Sequence, residues 1–207
     1  MIITAVEPQK GDPNRRNIFA DGKFVLGVSR EVWDEAGLSL GGELGDEMIS
    51  RLLRAENLRA AKRKALSLLD YADKSKQAMT ERLMHAGFDE ETARAAVGEL
   101  SEEGVISDEA YAEKYAYYLY TKKLCGRRRV VMELIKKGVD RDTAQAAADR
   151  AAPEDMAALA LALSKKKLKT VRSEKDMDYD KFFAYLLRSG HEYGDIREAL
   201  AEIFNNN

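Results

Sequence analysis

Short apolar runs separated by turn residues open the chain and predict a small β unit. Apolar residues cluster at positions 2–6, 17–20 and 23–28, and Asp21-Gly22 separates the last two runs. An Asp-Gly pair between apolar runs favours a type I′ hairpin turn, because both central residues need positive φ. Ser29 then predicts the N-cap of a helix over residues 30–36, and a further helix is expected from about residue 46.

The remainder of the chain has helical periodicity and repeats itself three times. Residues 81–89, 132–140 and 184–192 align without gaps on Gly87, Gly138 and Gly190, at spacings of 51 and 52 residues. A glycine at this position ends a helix in the left-handed conformation, and the next residue folds back onto that helix. Regular recurrence of such a unit is typical of a repeat protein, not of one globular core.

Each repeat is predicted to contain three helices. An earlier helix precedes the glycine-terminated one, and the helix after each glycine carries a buried stripe with a four-residue step, such as Ala144 and Ala148. We therefore predict a mainly α protein of three tandem three-helix repeats in an elongated curved stack, preceded by a small N-terminal β-hairpin or meander plus helix unit. The expected divisions are 1–57, 58–106, 107–152 and 153–207.

Composition and charge favour a binding protein over a membrane protein or an obvious nucleic-acid binder. Charged residues make up 34% of the chain, and the formal net charge is −2. Positive charge is nevertheless concentrated locally, since residues 107–152 hold 10 Lys and Arg against 7 Asp and Glu. No apolar run is long enough for a membrane span or a signal peptide, and the chain has 1 cysteine. We therefore expect a cytoplasmic protein without membrane contact. The sequence leaves the oligomeric state open, and a monomer is the default expectation.

The sequence offers little that indicates catalysis. His85, His191 and Cys125 are the only residues of their types, and their spacing suits neither a zinc site nor a nucleophile with its base. Cys125 is interpreted as a small, partly buried thiol at a helix end. No phosphate-binding glycine loop is present. We predict neither an enzyme nor a cofactor or metal site.

A basic cluster around Gly126 is the best candidate for function. It consists of Lys122, Lys123, Arg127, Arg128 and Arg129. Three consecutive arginines at a helix N-terminus oppose the helix dipole, which a sequence selected only for stability would rarely do. Arginine side chains suit either phosphates or an acidic protein surface, and both stay open.

A second basic segment is the insert at residues 165–169, continuing to Arg172 and Lys175. We interpret it as a solvated loop and include Lys165, Lys166 and Lys167 among the candidate partner-binding residues.

Two stretches, one at the start of the second repeat and one within it, resemble the central signature of RecX proteins. They are GVISDEAYA at residues 104–112 and GRRRVVMELIKKGV at residues 126–139. IFADGKF at residues 18–24 is similar to the N-terminal unit of longer RecX proteins. The third repeat departs from the pattern, since Gly190-His191-Glu192 replaces glycine, apolar residue and aspartate.

The resemblance implies three tandem three-helix repeats and a non-catalytic regulator of the RecA recombinase. It implies binding to the RecA nucleoprotein filament, with DNA as a weaker partner, and modulation, usually inhibition, of its ATPase and strand-exchange activities during recombinational repair and the SOS response. The sequence leaves inhibition and stimulation both open. An alternative is a sequence-reading DNA-binding module of tandem helical units, since short three-helix units resemble helix-turn-helix modules.

Overall fold

The structure is a computed structural model that describes residues 1–170 and 178–204. The described strands are β1 (Ile3–Gln9), β2 (Asp12–Ala20) and β3 (Lys23–Ser29). The described helices are α1 (Arg30–Glu35), α2 (Asp46–Leu69), α3 (Lys76–His85), α4 (Glu90–Glu102), α5 (Asp108–Thr121), α6 (Arg127–Lys136), α7 (Arg141–Ala151), α8 (Met156–Leu168), α9 (Tyr179–Arg188) and α10 (Tyr193–Phe204). The prediction of a mainly helical protein with a small N-terminal β unit is confirmed.

The N-terminal strands form an antiparallel meander in the order β1-β2-β3. Asp21 and Gly22 both have positive φ, 49° and 75°, as the predicted hairpin turn requires. Apolar side chains from one face of the sheet, together with residues of α1 and α2, form a core that is shielded from water. Its buried members are Ile3, Ile18, Ala20, Leu26, Val28, Val32, Leu44 and Leu52.

Ser29 and Glu56 connect this sheet to its helices. The Ser29 hydroxyl caps α1 by accepting a hydrogen bond from the Val32 N–H, as predicted. The Ser29 N–H donates to the Glu56 carboxylate at 2.8 Å, and Arg15 forms an ion pair with the same carboxylate. Burial raises the pKa of Glu56, but these hydrogen bonds outweigh it and the pKa lies below its ordinary value. The carboxylate is therefore held in its charged form.

The chain divides into two compact units. The first comprises residues 1–72 and 80–103, and the second comprises residues 73–79 and 104–207. In the first unit, the Lys62 ammonium of α2 pairs with Glu99 of α4 at 2.9 Å and with Glu103, the C-cap of α4, at 2.7 Å. In the second unit, α5, α6 and α7 surround one core and α8, α9 and α10 surround another. No helix of the described residues is long and apolar enough to span a membrane.

The three glycine-terminated helices end in the same hydrogen-bonded turn. Gly87, Gly138 and Gly190 all have positive φ. In each, the N–H after the glycine donates at 3.2 Å to the carbonyl five residues back, which is Leu83, Leu134 or Leu186. This is the Schellman arrangement expected from the sequence alignment. It is also present in the third repeat, although His191 stands there in place of an apolar residue.

Gly138→Val is expected to destabilise the protein by about 1–2 kcal/mol or more. A β-branched side chain resists the left-handed conformation of this residue, whose φ is +83°, and an added Cβ would lie 2.5 Å from the Cβ of Gln77. The measurement is urea unfolding followed by circular dichroism. An unchanged unfolding midpoint would contradict this account of the turn.

Two features differ from the sequence-based expectation. Helix α2 runs without a break from Asp46 to Leu69, so one helix crosses the predicted division between residues 57 and 58, and that four-part division stays a prediction. The prediction that Lys165, Lys166 and Lys167 lie in a solvated loop is wrong. They form the last turn of α8, where cationic side chains interact favourably with the helix dipole. Arg172 and Lys175 lie outside the described residues.

Candidate functional site

The candidate basic cluster lies where α5 turns into α6. Lys122 is the C-cap of α5, and Leu124 has a φ of 55° that reverses the chain direction. Gly126 is the N-cap of α6, so Arg127, Arg128 and Arg129 occupy its first three helical positions. The placement of three arginines at a helix N-terminus, inferred from the sequence, is therefore confirmed.

The end of α9 packs against the beginning of α6. The Gly126 N–H donates to the Ser189 carbonyl at 2.8 Å, and the Arg128 N–H donates to the Gly190 carbonyl at 3.2 Å. Gly126 has no side chain with which to cap α6, so the Gly190 carbonyl, which accepts from the second helical residue, takes the place of an N-cap side chain. The C-terminus of α9 also carries partial negative charge. The electrostatic conflict that the sequence indicates for the three arginines is therefore weaker in the folded protein.

Two glycines make this close approach possible. A Cβ added to Gly126 would lie 2.2 Å from the Gly190 carbonyl carbon, and a Cβ added to Gly190 would lie 2.3 Å from the Arg129 nitrogen. Both distances are far inside van der Waals contact and involve backbone atoms, which cannot move aside as a flexible side chain does. The contact between α6 and α9 thus depends on glycine at both positions.

His191 connects the third repeat to the same turn. Its ring is fully buried, and Nε2 lies 3.0 Å from the Leu124 carbonyl oxygen. In that geometry Nε2–H donates, while Nδ1 is buried without a hydrogen-bond partner in the described part of the chain. Burial lowers the pKa of His191, which favours the neutral ring. We interpret His191 as a residue that positions the turn carrying the basic cluster.

The three arginines have different surroundings. Arg127 forms a bidentate pair with Asp149 of α7, with Nε–Oδ1 at 2.5 Å and Nη2–Oδ2 at 2.8 Å. Arg129 lies 3.7 Å from Glu133 of its own helix. Arg128 is exposed, and no ion pair joins it to another described residue. The Arg127 side chain therefore joins α6 to α7. Arg128 and, to a smaller degree, Arg129 are available to bind a partner.

Asp149→Asn is expected to destabilise the protein by about 0.5 kcal/mol at neutral pH, since solvent screens this partly exposed pair. The Arg127 guanidinium holds the pKa of Asp149 below its ordinary value. A depressed folded-state pKa gives stability that is present above the unfolded pKa and lost as pH falls through the folded one. In urea unfolding, the difference between wild type and variant should therefore shrink as the pH is lowered from neutral to below about 4, where an unpaired aspartate becomes protonated. A difference that stays constant over that interval would contradict the pairing.

The lysines of the candidate set fall into two groups. Lys122 and Lys123 are exposed next to the arginines, and the Lys123 ammonium lies 5.8 Å from the centre of the Tyr118 ring. Lys165, Lys166 and Lys167 belong to α8, and the Lys167 ammonium lies 5.6 Å from the centre of the Tyr185 ring. The structure brings the first group into one turn with the arginines and places the second group on a separate helix of the third repeat.

Sequence reasoning missed a groove between α6 and the end of α9. Besides Arg128 and Arg129, it is lined by Met132, Lys136 and Arg188. Lys136 and Arg188 each stand two residues before a helix-ending glycine, as His85 does in the first repeat. A basic residue two positions before the glycine of every repeat is the sequence signal that could have revealed Lys136 and Arg188. The helices end at the same glycine in each repeat, so these residues occupy matching positions.

Reactive chemistry is disfavoured at Cys125, the one thiol of the chain. Cys125 is buried, as interpreted from the sequence, and burial raises the pKa of its thiol. The thiolate needed for nucleophilic attack is therefore scarce at neutral pH. The described residues contain no group of His, Cys, Asp and Glu side chains that could hold a metal ion.

Three family models match the chain. The model described as the Regulatory protein RecX N-terminal domain matches residues 1–45. The models described as the first and second three-helix domains of RecX match residues 61–100 and 107–147. These matches include the β meander, the first two glycine-terminated helices and the arginine-bearing start of α6.

Individual relatives extend the similarity over nearly the whole length. "Regulatory protein RecX" of Clostridioides difficile (strain 630) is 30% identical over 205 residues, covering 99% of this chain and 96% of the relative. The relative of the same name from Clostridium perfringens (strain 13 / Type A) is 28% identical over 207 residues, covering 99% of this chain and 97% of the relative.

Solved structures share the fold. A crystal structure of regulatory protein RecX superposes with a TM-score of 0.78 at 23% identity, covering 100% of this chain and 99% of that one. A crystal structure of RecX from Lactobacillus salivarius gives a TM-score of 0.61 at 21% identity, with coverages of 72% and 97%. On the sequence relatives and the family models together, the chain belongs to the RecX family of regulatory proteins.

Proposed function

We propose that this protein binds the RecA nucleoprotein filament in the cytoplasm and lowers its ATPase and strand-exchange activities, without catalysing a reaction itself. The observation that carries the proposal is the full-length similarity to regulatory RecX proteins. Inhibition during recombinational repair and the SOS response is the form of regulation that the family resemblance implies.

The basic cluster supports a role in binding a large partner. Arg128 presents an exposed guanidinium at the start of α6, and Lys122 and Lys123 are exposed in the turn that precedes it. Their positions are set by backbone hydrogen bonds from Gly126 and Arg128 to the end of α9. Cations held on rigid elements lose less conformational entropy on binding than cations on a mobile tail. We propose the cluster, with Lys165–Lys167 as further contacts, as the surface that meets the filament.

The test is RecA's DNA-dependent ATPase activity and strand exchange, measured with increasing amounts of the purified protein. We expect both activities to fall at substoichiometric to equal ratios. If an excess over RecA changes neither, the proposal fails. If both activities rise instead, RecA remains the partner, but the protein is an activator and not an inhibitor.

A DNA-binding regulator is the competing outcome. It predicts tight, sequence-dependent binding to naked duplex, with an affinity that falls steeply as salt rises. The formal net charge of −2 does not favour it. We expect single-stranded and duplex DNA to bind more weakly than the RecA-coated strand.

A further inference from the structure

We propose that the groove between α6 and the end of α9 binds an acidic polypeptide segment that carries an apolar anchor side chain. This inference rests on the proposed function, because the segment is taken to belong to the protein component of the filament. It goes beyond that function by naming the class of ligand that the groove binds, and by proposing that this ligand is a polypeptide and not the DNA backbone.

Positive charge dominates the groove. Arg128, Arg129, Lys136 and Arg188 line it together with one carboxylate, that of Glu133. Glu133 lies 3.7 Å from both Arg129 and Lys136 and partly neutralises these two. Arg128 and Arg188 are exposed and form no ion pair with any other described residue. They are the two cations best placed to pair with carboxylates of an incoming segment.

Apolar side chains line the same groove. Met132 belongs to the exposed face of α6 and is 53% exposed, and half-buried Leu187 of α9 lines the opposite side. An unbranched thioether adapts its shape to an inserted side chain, which is why methionine is common on peptide-binding surfaces. Covering Met132 with an apolar side chain would remove exposed apolar area from water.

This combination favours a polypeptide over a phosphate backbone. Phosphates follow one another at short, regular spacing, so a strand lying along the groove would bring some of them close to the Glu133 carboxylate, which repels them. The backbone of a nucleic acid also offers no aliphatic side chain to Met132 and Leu187. A peptide satisfies both conditions, because its acidic residues can lie on either side of one apolar residue.

The experiment uses fluorescence anisotropy with the full chain at low salt. The probe is a short labelled peptide with two glutamates on each side of one leucine. The same peptide with serine in place of leucine and an oligothymidylate of equal length are compared with it. Arg188→Glu removes a cation of the groove, and Met132→Gln removes its apolar surface without changing charge. Arg141→Glu, on an exposed residue at the start of α7, is the matched charge control.

The leucine peptide is expected to bind most tightly of the three probes. Its affinity should fall about tenfold with Arg188→Glu. It should fall about threefold with Met132→Gln and stay unchanged with Arg141→Glu. The serine peptide should be insensitive to Met132→Gln. Circular dichroism of each variant checks that the fold is intact.

Two results would overturn the inference. One is tighter binding of the oligothymidylate, with the same loss in Arg188→Glu and none in Met132→Gln, which would make the groove a phosphate surface. The other is no binding of the leucine peptide to the wild-type chain. Wild-type binding to the RecA filament is measured in parallel. If the wild-type protein still binds the filament when one of these two results is obtained, only the assignment of the groove fails. If the wild-type protein does not bind the filament, the proposed function itself is rejected.

Discussion

Reversing Arg128 and Arg129 together to Glu is expected to abolish detectable binding to the RecA filament, a loss of about a hundredfold or more in affinity. Both side chains leave α6 at its second and third positions, on the surface proposed to meet the partner. Each reversal replaces an attraction to an acidic surface with a repulsion. Helix content should be retained, because acidic residues in a first helical turn interact favourably with the helix dipole.

Arg127 is deliberately left unchanged in this variant. The sequence alone suggests reversing all three arginines, but Arg127 is held by two hydrogen bonds to Asp149. A triple variant would place Glu against Asp149 and weaken the packing of α6 on α7, so that a loss of binding would have two explanations. Arg141→Glu serves again as the charge control. Filament binding by the double variant at the wild-type level would place the binding surface elsewhere.

Gly126→Ala is expected to destabilise the second unit by about 3 kcal/mol or more, and to weaken filament binding with it. The new methyl group would lie 2.2 Å from the carbonyl carbon of Gly190, so the start of α6 has to move away from the end of α9. That movement breaks the hydrogen bonds that Gly126 and Arg128 donate to the Ser189 and Gly190 carbonyls. Urea unfolding gives the stability, and co-sedimentation with RecA filaments gives the binding.

Gly98→Ala provides the matched control for this substitution. Gly98 lies inside α4, and an added Cβ would meet no atom within 4 Å. Replacing an exposed helical glycine with alanine should stabilise the protein by roughly 0.5–1 kcal/mol. The same chemical change is thus expected to act in opposite directions at the two sites. Equal effects would contradict the close approach of α6 and α9.

Local signals explain which parts of the fold could be predicted from the sequence. The Asp21-Gly22 turn, the Ser29 cap and the glycine-terminated helices depend on residues a few positions apart, and their conformations follow from neighbouring residues. The lysines of α8 show where such reasoning fails. Their charge pattern predicts a solvated loop, although a helix C-terminus stabilises the same charges.

The features that could not be predicted from the sequence depend on contacts between residues that are far apart in the chain. His191 donates to the carbonyl of Leu124, 67 residues earlier, and Arg127 pairs with Asp149, 22 residues later. Nothing in the sequence near Arg127 distinguishes it from Arg128, yet one is committed to a carboxylate and the other is exposed. The groove depends equally on the docking of α9 against α6. Such contacts appear only when helices that are distant in the sequence pack together.

The most direct test of the central claim is co-sedimentation of the protein with RecA-coated single-stranded DNA, beside the same DNA without RecA. The account predicts that the wild-type protein sediments with the coated strand and much less with the naked strand, and that the Arg128 and Arg129 double reversal stays in the supernatant in both. Equal sedimentation with naked and coated DNA, or none with the RecA-coated strand, would contradict it.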